Sequence, residues 1–180
     1  MAFFKKSATA PEQKPAAASN VLKHDKPMRV MSRELSKKDA EEILAKSSCG
    51  VIATQTQDGW PYGVTVNHVY RDGKIYFHHT NAADSLLNSC LSDGANVCFT
   101  VVSRTQVVPE AFTDRFESAV AFGTVRKCAD QRKGFEMICE RFSPGCESVY
   151  EDHISSGLKG ACVWEIEIDH LTAKANRPKN

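Results

Sequence analysis

Between Gly50 and Ser103 apolar and polar positions alternate in short runs separated by Asp-Gly pairs. Residues 51–55 predict a first strand, with Asp58-Gly59 in the turn that follows. Residues 62–70 predict a second. It sets Tyr62, Val64, Val66, His68 and Tyr70 on one face and Thr65, Asn67 and Val69 on the other. Asp72-Gly73 forms another hairpin turn, and residues 74–78 a third strand that runs into Tyr76-Phe77-His78-His79-Thr80. Residues 96–103, 116–125 and 161–168 alternate in the same way, and residues 107–114 read as a loop around Pro109. Ala119, Ala121 and Gly123 put small residues on one face, which marks close packing or the approach of a ligand.

Helical spacing interrupts the strands at three places. Ser36 caps SKKDAEEILAKS, with Asp39 at the third position and Ala40, Ile43 and Leu44 as an apolar stripe. Residues 82–91 carry Leu86, Leu87 and Cys90 at helical spacing. Residues 129–141 carry Phe135, Ile138 and Cys139, and Ser143-Pro144-Gly145 ends that helix. Residues 148–158 read as mixed loop and short helix. About six strands with interspersed helices predict a mainly β fold with helical covers, a closed antiparallel barrel.

Composition narrows the function classes. At 180 residues the chain has room for one domain. Residues 1–26 are low in complexity, lack the long apolar centre of a secretory signal and predict a disordered tail, leaving 27–180 as the domain. The net charge of +1 argues against nucleic acid as partner, and no apolar run is long enough for a membrane helix. The seven cysteines form no C-x-x-C pair, which reads as reduced thiols in a cytoplasmic protein with no metal site. There is no G-x-G-x-x-G, P-loop or G-x-S-x-G motif.

The ordered segments Gly50-Val51-Ile52-Ala53-Thr54, Asp58-Gly59-Trp60-Pro61-Tyr62, Val66-Asn67-His68-Val69-Tyr70 and Asp72-Gly73-Lys74-Ile75-Tyr76-Phe77-His78 carry a family likeness. Asn96-Val97-Cys98-Phe99-Thr100-Val101 and Leu171-Thr172-Ala173-Lys174 extend it. Over residues 28–175 the chain resembles the pyridoxamine 5′-phosphate oxidase-like FMN-binding split-barrel proteins, and within them the nitroimidazole-resistance branch. The resemblance implies a six-stranded antiparallel split β-barrel. It also implies a homodimer with FMN or FAD at the interface, and electron transfer to a small-molecule substrate such as a nitro compound. One position departs from the family: where a basic Gly-Lys-Lys run usually serves the flavin phosphate, this chain has Ala83-Asp84-Ser85.

With that resemblance in hand, the candidate site residues are Val66, Asn67 and His78 for the flavin ring, and His79, Thr80, Asn81 and Ser85 for its phosphate. Arg104 is a candidate second source of positive charge. His78, adjacent to the ring, is the candidate catalytic residue, since an imidazole titrates near neutral pH. His78 and His79 point to opposite faces of a strand and cannot easily share one metal. His68 reads as a core or interface histidine, Trp60 and Trp164 as packing residues, Cys98 as core, and Arg115 with Glu117 as a surface pair. The alternative is a non-catalytic split-barrel protein that binds flavin or haem, with His78, His79 or His153 as an axial ligand.

Overall fold

The computed structural model describes residues 27–178; the expected tail, residues 1–26, lies outside the described residues. The strands are β1 (Cys49–Gln55), β2 (Pro61–Asn67), β3 (Val69–Arg71), β4 (Lys74–Thr80), β5 (Ala95–Val108), β6 (Thr113–Lys127) and β7 (Ala161–Asn176). The helices are α1 (Lys37–Lys46), α2 (Leu86–Cys90), α3 (Gln131–Phe142) and α4 (Tyr150–Gly160).

The strands form one antiparallel sheet in the order β2-β1-β5-β6-β7-β4-β3. This corrects the expected closed barrel of six strands: among the described residues there are seven, and their ladder does not close. The extra strand arises because the run 62–70 breaks at His68. Its two pieces, β2 and β3, become the two opposite edges of the sheet. One residue of chain therefore joins the ends of the sheet, and β2 packs against β4 without a ladder between them.

Alternation fixes which side chains go inside. Ile52, Val66, Ile75, Phe77, Val97, Phe99, Ala121 and Ile166 fill the concave face of the sheet, with Ala40, Ile43 and Leu44 of α1 covering it. Phe77 and Phe99 are fully buried, each worth about 2–3 kcal/mol of transfer free energy. The opposite face of β3 and β4 meets a second core. Val69 and Tyr76 pack there with Phe135, Met137, Ile138 and Cys139 of α3 and Ile154 of α4. Val69 thus lies on the face opposite Val66 and yet is buried.

Local signals account for most boundaries. Ser36 and Asp39 form the expected reciprocal cap on α1. Asp72 and Gly73 both adopt positive φ, 54° and 78°, as a two-residue hairpin turn requires. Two elements differ from expectation. The 107–114 loop is reduced to a tight turn at Pro109–Ala111, because β5 and β6 extend as a protruding hairpin. The last strand runs on to Asn176, past a bulge that leaves Asp169 out of the β6–β7 register. Gly123 sits at this bulge, where a Cβ would lie 2.0 Å from the Glu167 carbonyl oxygen.

Candidate functional site

The break at His68 shapes the region where the expected site residues gather. His68 is fully buried. Its Nε2 lies 3.0 Å from the Leu44 carbonyl oxygen, and its ring meets Phe99 edge-on at 4.9 Å. A carbonyl only accepts, so Nε2 carries the proton. Burial pushes the imidazole below its ordinary pKa and keeps it neutral. On the near side of the break, β2 has β1 as its only ladder partner among the described residues, which leaves its other edge without a ladder beside β4. Val69 pairs with Tyr76 just after the break, and before it β2 packs against β4. Val66 points into the core, while Asn67 is exposed.

His78 and His79 take opposite faces, as the strand period requires. His78 lies on the α3 side with its ring 5.9 Å from that of Phe135. Partial burial, then the neighbouring His153 and His79, lower its pKa. His79 shares the face of Ile75 and Phe77. Its Nε2 lies 2.7 Å from Ser85 Oγ, and burial lowers its pKa too. Thr80 accepts the Ala82 N–H and reaches the Gly160 carbonyl, and Asn81 reaches that of Lys159. Ser85 caps α2 by accepting from the Asn88 N–H. Asn88 Nδ2 donates to the Thr80 and Ala82 carbonyls at 2.7 and 2.8 Å, which holds the 80–85 loop in shape.

The structure brings together His79, Thr80, Asn81 and Ser85, while His78 takes the other face of β4 beside Phe135. It does not bring Arg104 to them within one protomer. Arg104 pairs with Glu117, ten positions along β6 from Lys127 (127 − 117), whose end of β6 is the one near Asn81. That is roughly 30 Å of strand. Arg104 instead lines a small cavity with Arg115, Phe116 and Arg177 at the hairpin base. The expected Arg115–Glu117 pair is also corrected, since Glu117 pairs with Arg177 at 3.0 Å. Helix α2 is shorter than the 82–91 pattern suggested, because residues 81–85 are committed to the loop.

Three residues that bound a cavity of about 170 Å³ beside this loop were not singled out as site residues by the sequence: Lys127, Asn88 and Trp164. The indole alone was noticed, as a packing residue. On the convex sheet face, a second cavity of about 330 Å³ is lined by Ala53, Cys98, Phe122 and Asp169. Cys98 is half-buried there, not in the core. Burial raises the thiol pKa of Cys98, Cys128 and Cys139, so none of the three is activated as a thiolate. All seven cysteines are free. Among the described residues no three His, Cys, Asp or Glu side chains converge as metal ligands, and no helix is long and apolar enough to cross a membrane.

A family model described as pyridoxamine 5′-phosphate oxidase matches residues 36–175. The chain belongs to the pyridoxamine 5′-phosphate oxidase family. A candidate 5-nitroimidazole antibiotic resistance protein from Bacteroides thetaiotaomicron has the same fold, with a TM-score of 0.62 and 21% identity over 80% of this chain and 90% of that one. So does a flavocytochrome from Azotobacter vinelandii, at TM-score 0.69 and 15% identity over 87% and 75% of the two chains. An FAD- and haem-binding protein from Mycobacterium smegmatis aligns at TM-score 0.66 and 18% identity over 82% and 76%. No curated protein matches the sequence. At these identities the structural likeness establishes the fold.

Proposed function

We propose that this protein binds a flavin, FMN in the first instance, in the gap between β2 and β4, and passes electrons to a small organic acceptor, with nitro compounds as candidate substrates. The observation that carries this reading is the edge of β2, which has no ladder partner on the β4 side among the described residues and packs beside β4. It offers a row of backbone donors and acceptors to a planar ring with amide-like edges, and the 80–85 loop lies next along β4. The residues present fit the group. They supply a polar edge, two imidazoles lowered toward neutrality, and a loop held by Asn88. A bound flavin would supply the electron-transfer chemistry. Asn67 would orient the ring by hydrogen bonding. His78, largely neutral at pH 7, would accept or donate a proton beside the acceptor.

The reading includes a homodimer with the flavin at its interface. The convex face of β1, β5 and β6 exposes Val51 and Val102, with Phe122 alongside. It supports association because no helix covers it among the described residues.

The test is an absorption spectrum of the purified protein before and after adding FMN or FAD, then turnover with a reduced nicotinamide and a nitroaromatic. Flavin bands that stay with the protein through gel filtration are the expected result. Failure to retain either flavin overturns the reading. A haem reading has one supporting observation: His153 lies near enough to His78 to lower its pKa, so two imidazoles face one region. A Soret band on adding haemin would favour it.

A further inference from the structure

Four neighbouring strands each bring a residue to the cavity on the convex face of the sheet. Ala53 of β1 pairs with Cys98 of β5, and Cys98 with Phe122 of β6. On β7 the register passes from His170, opposite Phe122, to Ile168, opposite Gly123, and skips Asp169. Asp169 and His170 therefore stand together across from the single Phe122. Such a bulge re-aims a side chain, and Asp169 lines the cavity with Ala53, Cys98 and Phe122. Asp169 is exposed, and its carboxylate has no hydrogen-bond or ion-pair partner among the described residues.

Charge and size narrow the occupant. The cavity measures about 330 Å³, enough for one aromatic ring with a short substituent. Among the described residues that line it there is no lysine or arginine, and Asp169 is the one carboxylate. Arg126, four residues along β6 on the same face, is held by Glu167 at 2.6 Å. Burial pushes the Cys98 thiol pKa up, so it adds no charge. An unpaired carboxylate beside an aromatic ring and small walls selects a cation with an apolar body. A second copy of this chain fits less well, because the adjoining row Val51–Thr100–Val120 offers Asp169 no cation.

We propose that this cavity binds a small organic cation, a primary ammonium carried on an aromatic ring. Asp169 holds the ammonium, and Phe122 and Ala53 take the apolar part. The site lies over β1, β5, β6 and β7 rather than in the β2–β4 gap, so it stands independently of the flavin reading. Asp169 is open to water, which weakens the ion pair and sets the affinity at about 1 mM.

Calorimetric titration of the full chain with benzylammonium, benzyl alcohol and benzoate at equal ionic strength tests the site, since the three share one ring and differ in charge. Benzylammonium should bind about five- to tenfold tighter than benzyl alcohol, and benzoate should not bind. Asp169→Asn keeps the side-chain shape and should erase that preference, whereas Asp169→Glu should retain it. Phe122→Leu should weaken both benzylammonium and benzyl alcohol. Asp169 is exposed, so its variants report on binding even if the Phe122 variant folds poorly. No benzylammonium binding, equal binding of the alcohol, or a preference indifferent to Asp169→Asn overturns the proposal. Binding that appears in Val51→Glu but is absent from the wild type also overturns it, and gives the cavity to a second copy of the chain.

Discussion

His68 Nε2 donates to the Leu44 carbonyl oxygen at 3.0 Å, tying the break between β2 and β3 to the last turns of α1. The imidazole does two things at once. It fills core space against Phe99, and it holds the chain where it leaves one sheet edge for the other. Among the described residues Nδ1 has no partner, which favours the neutral ring there. His68→Ala should cost on the order of 3 kcal/mol in denaturant unfolding, from the lost bond and the cavity left behind. A larger effect on flavin retention than on helix content is expected, because the β2–β4 gap depends on this residue.

Burial lowers the pKa of His68 below the ordinary value of 6.5, and that of His78 and His79 likewise. The unfolded chain therefore binds more protons than the folded one once the pH drops to about that value. Stability present above pH 6.5 is lost progressively as pH falls toward the folded-state pKa values. Thermal unfolding at pH 7.5 and at pH 5.5 checks this, with the lower melting temperature expected in acid. A melting temperature that rose on acidification would contradict the neutral buried imidazole.

Gly123 is required by contact rather than by backbone conformation. A Cβ would lie 2.0 Å from the Glu167 oxygen across the β6–β7 bulge. Gly123→Ala should destabilise by at least about 1–3 kcal/mol as the strands separate. Gly160→Ala, where a Cβ meets nothing within 4 Å, is the control and should be near neutral. Urea midpoints of the two variants measure the difference.

The two adjacent histidines should separate by function. His79 is bonded to Ser85 at the start of α2, whereas His78 looks toward Phe135 and His153. His79→Ala should lower stability by about 1 kcal/mol through the lost hydrogen bond and a looser loop. His78→Ala should leave the melting temperature nearly unchanged and alter the bound-flavin spectrum or turnover. Equal effects of both on stability would remove His78 from the site.

Much of the fold was legible in the sequence because strands with one buried face write their period into it. The Asp-Gly turns, the Ser36–Asp39 cap and the burial of His68 all follow from local chemistry. The break at His68 was not legible, because the alternation of residues 62–70 continues unchanged through it. What splits the run is that its two pieces join opposite edges of one sheet, a long-range demand. The second core explains a similar miss, since Val69 reads as an outward residue until α3 is packed over it. His79, Thr80, Asn81 and Ser85 lie together on β4 and its loop because they are close in sequence. Arg104 lies far along β6 from that loop, Lys127 was not singled out and Trp164 was read only as packing, because only the β6–β7 and β4–β7 registers show what reaches Asn81.

The convex sheet face gives the sharpest test of the proposed dimer. Val51 pairs with Thr100, which pairs with Val120, so the row across β1, β5 and β6 is almost free of charge. Val51 is 40% exposed and Val102 54% exposed, and either can carry a charge in a monomer without disturbing the core. A buried charge in a self-matching interface would be doubled by symmetry and left unpaired. Val51→Glu and Val102→Glu should therefore keep the far-ultraviolet spectrum and melting behaviour of the fold while converting dimer to monomer in light scattering. If the flavin lies between protomers, the same variants should lose it, at least tenfold in affinity. A monomeric wild type overturns the dimer. Monomeric variants with full flavin affinity would keep the dimer and move the flavin into a single protomer.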